Sequence, residues 1–293
     1  MKYSDDLIIF RGAGELASGA IRRLIIAGFP VIALEVEQPF CIRRTVSFAI
    51  AVYESEAEVE GIRGKLFKVG DEALNGAGEG IAAIIIDPDG DSIDNLSPTV
   101  LVDARMLKIN SDITRESAPV VIALGPGQSA SEDVHYVIET SRGHNLGRVI
   151  SKGAALADTG VPGKLGGETA KRVLRAPNDG RFNSIMKLGD MVSVGDVVGE
   201  VDGTAVKIEI PGLLRGLIYD GVRVSKGMKI GDVDPRGNKE YMYSVSDKAN
   251  AIAGGVMEAV FRGINLCKDY SFIGLLFLLT LISITQKTLQ VLV

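Results

Sequence analysis

Residues 7–35 read LIIFRGAGELASGAIRRLIIAGFPVIALE, and this stretch decides the fold expected for the first part of the chain. Leu7–Phe10 is a short apolar run followed at once by Gly12–Gly14. Apolar residues then recur at helical spacing as far as Gly28. A second apolar run follows and ends on Glu35. The pattern predicts a strand, a tight turn, a helix and a second strand.

Three later apolar runs have the same character, since Ile81–Ile86, Val100–Val102 and Val120–Leu124 are each followed by an aspartate or a glycine. Continuous apolar runs indicate strands covered on both faces, as in a mainly parallel sheet. Ligands of such sheets bind outside the carboxyl ends of the strands. We therefore expect one rim that carries the residues following these strands, namely Arg11, Glu35, Asp87, Asp103 and Gly125.

The sequence pattern changes after about residue 172, where short stretches rich in Val, Gly and Asp replace the helical spacing of apolar residues. Eight residues between Gly180 and Asp202 recur 32 positions later, between Gly212 and Asp234. Their shared form, G-x-x-V-S-x-G-x-x-x-G, describes two β-turn-β halves that cannot each close a core. The repeat predicts a small duplicated all-β domain whose halves pack against one another.

Composition argues against several classes of partner and site. The 293 residues carry a formal charge of −5 without a long basic run, so no nucleic-acid partner is expected. Two cysteines, Cys41 and Cys267, cannot by themselves build a disulfide framework or a zinc site, and no metal site is expected. The polar, acidic first residues lack the features of a signal peptide, which indicates a cytoplasmic location.

The tail from residue 267 does not fit this picture. Phe272–Ile284 is an uncharged apolar run of 13 residues, shorter than the roughly 20 that span a bilayer. Three interpretations stay open: a soluble or docked helix, a membrane contact, and a tail that is not native to the fold.

The glycine turn is the first candidate binding element. Gly12 and Gly14 fit the pattern G-x-G-x-x-A, and Glu35 lies 21 residues after Gly14. In a dinucleotide site a pyrophosphate would lie on the helix N-terminus and Glu35 would bind a ribose hydroxyl. Glu15 opposes this, because its charge occupies the positive end of the helix and repels a phosphate. The turn predicts either an anionic or nucleotide ligand or a tight turn without one.

Two adjacent arginines follow the second strand. Arg43 and Arg44 are suited to clamping a phosphate bidentately. The alternative is a solvated loop in which they pair with Glu35 or Glu37. Cys41 lies two residues earlier, where positive charge favours the thiolate, and a buried inert cysteine is the alternative.

A second candidate group follows the strand that ends at residue 124. Gly125 and Gly127 flank a proline in a rigid turn whose backbone can approach a ligand closely. Glu139, Arg142 and His144 lie in the next loop, where the histidine would titrate in the range needed for proton transfer. A histidine that only hydrogen-bonds its own loop is the alternative.

Longer motifs occur in a fixed order: RGAGELASG (11–19), IRRTVSFAIAVYE (42–54), ALGPG (123–127), IETSRGHNLGRVI (138–150), DTGVPG (158–163), RAPNDG (175–180) and GDVDPRG (231–237). Together they resemble the YqeB-type proteins of the selenium-dependent molybdenum hydroxylase system, over roughly residues 5 to 262. Those proteins are similar to the Rossmann-like domain of XdhC-type maturation factors, which handle the molybdenum cofactor before its insertion. The resemblance implies a pathway and leaves the chemistry open.

The repeat itself resembles biotinyl/lipoyl-type barrel-sandwich domains, in which a lysine at the hairpin tip between the halves is modified. Here the tip is Val201–Thr204 and the nearest lysine, Lys207, lies in the following strand, so neither biotin nor lipoate is expected. The expected architecture is an α/β chain with four parts: a Rossmann-like, mainly parallel sheet in 1–171, a barrel-sandwich-like β domain in 172–236, a C-terminal helix region in 237–266, and a tail of uncertain status in 267–293.

The leading hypothesis is an accessory protein that matures selenium-dependent molybdenum hydroxylases, with such a hydroxylase and a small anionic cofactor as its partners. The residues expected to hold a molybdopterin-type cofactor or a nucleotide are Gly12, Gly14, Glu35, Arg43, Arg44, Gly125 and Gly127. Those expected to handle protons, sulfur or selenium are Glu139, Arg142, His144 and Cys41. Two alternatives are an NAD(P)-dependent Rossmann oxidoreductase and a non-catalytic scaffold that docks the hydroxylase. Catalysis itself and a homo-oligomer are left open.

Overall fold

The computed structural model describes residues 3–109, 112–158, 160 and 165–267. The apolar run and most of the tail lie outside these residues. In the part of the chain that is described, no helix is both long and apolar enough to cross a membrane.

One large sheet organises the first half of the described chain. Its strands are β1 (Ile8–Arg11), β2 (Val31–Glu35), β3 (Glu56–Val59), β4 (Ile62–Phe67), β5 (Ala82–Ile86), β6 (Val100–Asp103), β7 (Val120–Leu124), β9 (Tyr136–Ile138) and β10 (Val149–Ile150). A separate short pair joins β8 (Ser129–Ala130) to β11 (Gly153–Ala154). Among the described residues the sheet order is β10-β9-β7-β6-β1-β2-β5-β4-β3. Pairing is parallel from β9 to β4, and the outer strands β10 and β3 are antiparallel to their neighbours.

Helices cover both faces of this sheet unevenly. They are α1 (Glu15–Ala27), α2 (Ala51–Glu54), α3 (Asp71–Gly78), α4 (Ile93–Leu96), α5 (Glu240–Tyr243) and α6, described over residues 247–267. Single 3-10 turns lie at Arg44–Val46, Phe48–Ile50 and Arg115–Ser117. α1 and α6 pack on one face, where Leu24 and Val256 are buried with Phe10. α3 packs on the other face, where Ala73 is buried with Ile85.

The antiparallel part follows the large sheet. Its strands are β12 (Val173–Arg175), β13 (Gly180–Ser184), β14 (Met191–Val192), β15 (Val197–Val201), β16 (Thr204–Lys207), β17 (Gly212–Leu217), β18 (Arg223–Val224) and β19 (Lys229–Asp234). Within residues 165–267 they form two four-stranded sheets, β12-β19-β17-β14 and β16-β15-β13-β18. Each sheet takes strands from both halves of the repeat, since β13 pairs with β18 and β14 with β17. The halves therefore share one core, around Phe182, Leu214 and Ile230.

The predicted fold class, a Rossmann-like sheet followed by a barrel-sandwich domain, was wrong. The large sheet is mixed, because the strand at each of its edges is antiparallel to its neighbour. The repeat region forms two antiparallel sheets. The physical reason lies in the connections. Between β5 and β7 the chain forms only the four-residue α4 and one 3-10 turn in its described residues, so long crossover helices are missing there. α6 covers that face instead, and its Gly263 lies directly on Val120 of β7.

Candidate functional site

The Glu35 side chain accepts a hydrogen bond from the backbone of the glycine turn. The Ala13 amide donates a hydrogen bond to Glu35 Oε1 at 2.6 Å, and the Val36 amide donates to Oε2 at 3.1 Å. Burial raises the pKa of this carboxyl, while the two backbone donors act in the opposite direction. Glu35 thus faces the turn rather than outward toward a ribose, contrary to the role predicted for it. Gly12 has φ of 97°, a left-handed conformation that favours glycine.

Gly14 behaves differently from Gly12. Its φ is −65°, and a Cβ built there would meet no atom within 4 Å. Neither the backbone angle nor the packing of the chain requires glycine at this position. Gly14 is the N-cap residue of α1 and makes no side-chain cap hydrogen bond, so the first amides of α1 lack partners within the helix. This arrangement suits an anion.

Arg43 joins α1 to α5 rather than pairing with Glu35 or Glu37. One guanidinium nitrogen donates to Glu15 Oε1 at 2.6 Å, and the other donates to the carbonyls of Tyr241 at 2.6 Å and Ser244 at 3.1 Å. The side chain is only 5% exposed. Its Nε atom is buried and has no hydrogen-bond partner among the described residues. Because Glu15 is neutralised by Arg43, its charge repels a phosphate less than the sequence suggested.

Arg44 takes part in the contact between the large sheet and the antiparallel part. Its guanidinium carbon lies 5.2 Å from the centre of the Tyr219 ring, and that ring stacks on Tyr53 at 4.2 Å. Beside them, the Leu217 amide donates to the Ile42 carbonyl at 2.9 Å. Arg44 therefore stabilises the contact between the two parts of the chain and is not placed as a phosphate clamp.

Glu139, Arg142 and His144 do not form one proton-handling group. Glu139 is buried and accepts hydrogen bonds from the amides of Ser141 at 2.7 Å and Leu156 at 2.9 Å, which fix its loop. Arg142 binds Asp247 bidentately at 2.7 and 3.0 Å. That bond holds the pKa of Asp247 at about 2. The His144 side chain is exposed.

The turn at Gly125 and Gly127 is filled by neighbouring protein atoms. A Cβ at Gly125 would lie 2.7 Å from Thr140 Oγ1, and one at Gly127 would lie 2.5 Å from the Ile109 carbonyl oxygen. The adjoining cavity, partly lined by Met106, has about 10 Å³, which holds no more than a water molecule. These glycines allow close packing of the chain on itself, so the predicted ligand contact has no room there.

Cys41 lies in an environment that disfavours the thiolate. The residue is 6% exposed, and burial followed by the Glu35 carboxylate raises the pKa of its thiol to about 12, although Arg44 acts in the opposite direction. A thiol with such a pKa stays protonated at neutral pH. The structure therefore favours the inert alternative that the sequence left open.

Other acidic residues of the rim hold loops in place. Asp87 accepts hydrogen bonds from the amides of Gly90, Asp91 and Ser92 at 2.9–3.0 Å. Asp103 binds Arg105 at 2.9 and 3.0 Å. Over the described ranges, no group of three or more His, Cys, Asp or Glu side chains has the arrangement of a metal site.

A series of charged and aromatic groups lies near Glu15 instead. It begins with the Arg43 pair and includes Tyr241 and Arg236, whose guanidinium carbon lies 4.2 Å from the centre of the Tyr241 ring. The charge of Arg236 reaches Asp247, which is bound by Arg142, and Arg142 in turn is influenced by Glu15. We call this set the Glu15 surface, and its members are Glu15, Arg43, Arg142, Arg236, Tyr241, Asp247 and Lys248.

Two lysines approach the Glu15 surface from different elements. Lys248 lies in the first turn of α6 and Lys229 in β19, and the pKa of each is influenced by Glu15. Burial lowers the pKa of both amines, and Arg142 lowers that of Lys248 further. Lys229 has Asp232 at 3.8 Å. Lys248, by contrast, forms no ion pair with a carboxylate of the described chain.

Sequence reasoning missed Lys248, Arg236 and Tyr241. One signal was present, because Ser246 is a natural helix N-cap and its hydroxyl accepts the Ala249 amide at 3.2 Å. A lysine two positions after such a cap is opposed by the helix dipole. That conflict marks the position, but the partners around it come from distant parts of the chain.

Comparisons with known proteins identify one close relative. Over 267 residues the chain is 48% identical to the uncharacterized protein YqeB of Escherichia coli strain K12, an alignment that covers 90% of this chain and 49% of that protein. The chain is a relative of YqeB. It spans about half the length of that relative. The similarity supports the predicted link to YqeB-type proteins and assigns no role, and no family model matches the chain.

Two solved structures align with the chain at low similarity. One is an aspartoacylase family protein from Mesorhizobium loti, with 12% identity, a TM-score of 0.26, and coverage of 78% of this chain and 84% of that one. The other is an ectoine utilization protein from Ruegeria pomeroyi, with 14% identity, a TM-score of 0.24, and coverage of 78% and 85%. At these TM-scores neither likeness defines the fold or transfers an activity.

The predicted role in maturing selenium-dependent molybdenum hydroxylases was wrong. The name of the YqeB relative assigns no role that supports it. The residues chosen for that role are also engaged within the chain, as with Glu35 on the Ala13 amide and Gly127 against Ile109. The NAD(P) alternative loses its ribose ligand for the same reason, and no comparison supports a docking scaffold.

Proposed function

We propose that this protein binds a small phosphate-bearing molecule on the Glu15 surface. Lys248 carries the proposal, because it is a half-buried ammonium group with no carboxylate partner in the described chain. Its position in the first turn of α6 places it at the positive end of the helix dipole. An unpaired, partly desolvated cation is costly, and a bound anion would offset that cost.

The donors around Glu15 favour a phosphate over an anion with fewer acceptors. A phosphate group has several oxygens and binds well where backbone amides and charged side chains are directed to one point. Here α1 begins without a side-chain cap, and a Cβ at Gly14 would meet no atom within 4 Å. Arg142 and Lys248 lie close enough to Glu15 for its charge to influence both.

Several phosphorylated molecules satisfy this chemistry. A nucleotide and a molybdopterin-type cofactor both carry such a group, and both remain within the proposal as candidate ligands. Binding is the extent of the proposed function, and no reaction is assigned to the Glu15 surface.

Calorimetric titration of the full chain with ribose 5-phosphate tests the proposal, with ribose as the phosphate-free reference. We expect saturable binding of ribose 5-phosphate alone. Lys248→Met should weaken it about tenfold, equivalent to about 1.4 kcal/mol, because one charged contact is lost. The matched control is Lys152→Met, since Lys152 lies in an exposed loop. Absence of saturable binding, or an equal loss in both variants, would overturn the proposal.

A further inference from the structure

α5 presents two tyrosines at the edge of the Glu15 surface. The side chains of Tyr241 and Tyr243 are 38% and 63% exposed, in a chain with 7 tyrosines, 9 phenylalanines and no tryptophan. Aromatic rings that remain exposed on a fixed backbone are typical of binding surfaces, since they offer a large apolar face at low entropic cost.

The backbone of α5 is held from the opposite side. Arg43 donates to the carbonyls of Tyr241 and Ser244, and the Thr45 hydroxyl donates to the Met242 carbonyl. The Met242 side chain is 2% exposed and anchors the helix in the protein. A four-residue helix is not stable by itself in water, so these contacts are what orders it. The tyrosines therefore stand on a pre-organised platform.

The platform is linked to Glu15 through Arg43. The Arg43 guanidinium donates both to the Glu15 carboxylate and to the Tyr241 backbone carbonyl. On its other side Tyr241 carries Arg236 against its ring at 4.2 Å. Planar guanidinium and tyrosine groups are the side chains on which nucleobases stack. The charge of Arg236 also acts on Asp247, which directly precedes Lys248 in the chain.

We infer that the ligand of the Glu15 surface carries a flat heteroaromatic ring that stacks on Tyr241 and Arg236, as a mononucleotide does and a sugar phosphate does not. This inference rests on the proposed function, since it names the class of molecule that supplies the phosphate. The phosphate is bound by Lys248, Arg142 and the start of α1. The ring adds affinity through stacking and requires no base-specific hydrogen bond.

Comparison of AMP with ribose 5-phosphate tests the ring separately from the phosphate. We expect AMP to bind the full chain about tenfold more tightly or better, the gain typical of one stacked base. Tyr241→Ala should abolish the difference, and an unchanged far-UV circular dichroism spectrum and urea midpoint show that the variant is folded. Tyr241→Phe retains an aromatic face and should keep the preference for AMP.

The outcomes separate the two claims. Equal affinity for AMP and ribose 5-phosphate, or a preference that survives Tyr241→Ala, overturns the stacking inference and leaves phosphate binding intact. Failure of both ligands to bind the wild-type chain overturns the proposed function and the inference together. A preference lost in Tyr241→Phe as well would assign the effect to the hydroxyl and would also overturn stacking.

Discussion

Gly255 determines how closely α6 can approach the loop after β9. A Cβ added there would lie 2.2 Å from the Gly147 carbonyl oxygen and 2.9 Å from Cγ2 of Ile138. Gly254 precedes it on the same helix, and a Cβ there would find its nearest neighbour, the flexible Arg23 guanidinium, at 3.7 Å. The two glycines therefore form a matched pair that differs in packing and shares a helical backbone.

The magnitudes follow from two opposing effects. Alanine in place of glycine inside a helix contributes up to about 1 kcal/mol of stability, and both variants gain this. Overpacking typically costs about 1–3 kcal/mol, and only Gly255→Ala incurs it. The loop cannot easily withdraw, because Gly147 has φ of +80° and itself lies against Ala251. We expect Gly254→Ala to stabilise the chain and Gly255→Ala to be about 1–3 kcal/mol less stable than that variant.

Urea unfolding followed by far-UV circular dichroism measures this difference in the free energy of unfolding. The two variants should share the same dependence on urea concentration, since the surface exposed on unfolding is nearly unchanged. The ribose 5-phosphate titration adds a second readout, because α6 also carries Lys248. Equal stability of the two variants would refute the close approach of α6 that the geometry requires.

Three further predictions concern the stability and reactivity of other buried or half-buried groups. Asp234→Ala should lower the free energy of unfolding by about 3–5 kcal/mol, because this fully buried carboxylate binds the side chains of Arg215 and Arg236. A decrease below about 1 kcal/mol, measured by urea unfolding, would contradict a stabilising role for these buried ion pairs. Burial lowers the pKa of His135, whose Nδ1 accepts the Val121 amide at 3.0 Å. Protonation of His135 therefore favours the unfolded chain. The contribution of neutral His135 to the free energy of unfolding should be complete above pH about 6.5 and should decline as pH falls through the lower folded-state pKa. A His135→Gln variant whose stability has the same pH profile would argue against this prediction. Cys41 should resist iodoacetamide at neutral pH in the native chain and react in urea, because burial raises the pKa of its thiol to about 12; rapid native labelling detected by peptide mass would disprove this.

Local sequence patterns located several elements well. The run Val120–Leu124 coincides with β7, and Gly28 ends α1 with φ of 96°, as its position after the apolar spacing predicts. Such signals depend on side chains and backbone angles of neighbouring residues. The strands β3 and β4 were missed, because both are partly exposed and lack a continuous apolar run. β3 forms one edge of the large sheet and is antiparallel to β4, which contributes to the mixed class of the sheet.

In the candidate site, too, some features were predictable from local sequence and others depend on the tertiary structure. From residues alone, Gly14 and Arg43 were selected as anion-binding positions and Glu15 was recognised as an obstacle, since each judgement needs only the chemistry of one residue and its place beside a helix. Only the tertiary structure pairs Glu15 with Arg43, 28 positions away, and Arg142 with Asp247, 105 positions away. Likewise, Glu35 faces the Ala13 amide rather than a ligand because β1 and β2 are neighbours in the sheet. Which charged residues pair over such sequence separations depends on how the helices and sheets pack. Local periodicity in the sequence does not predict that packing.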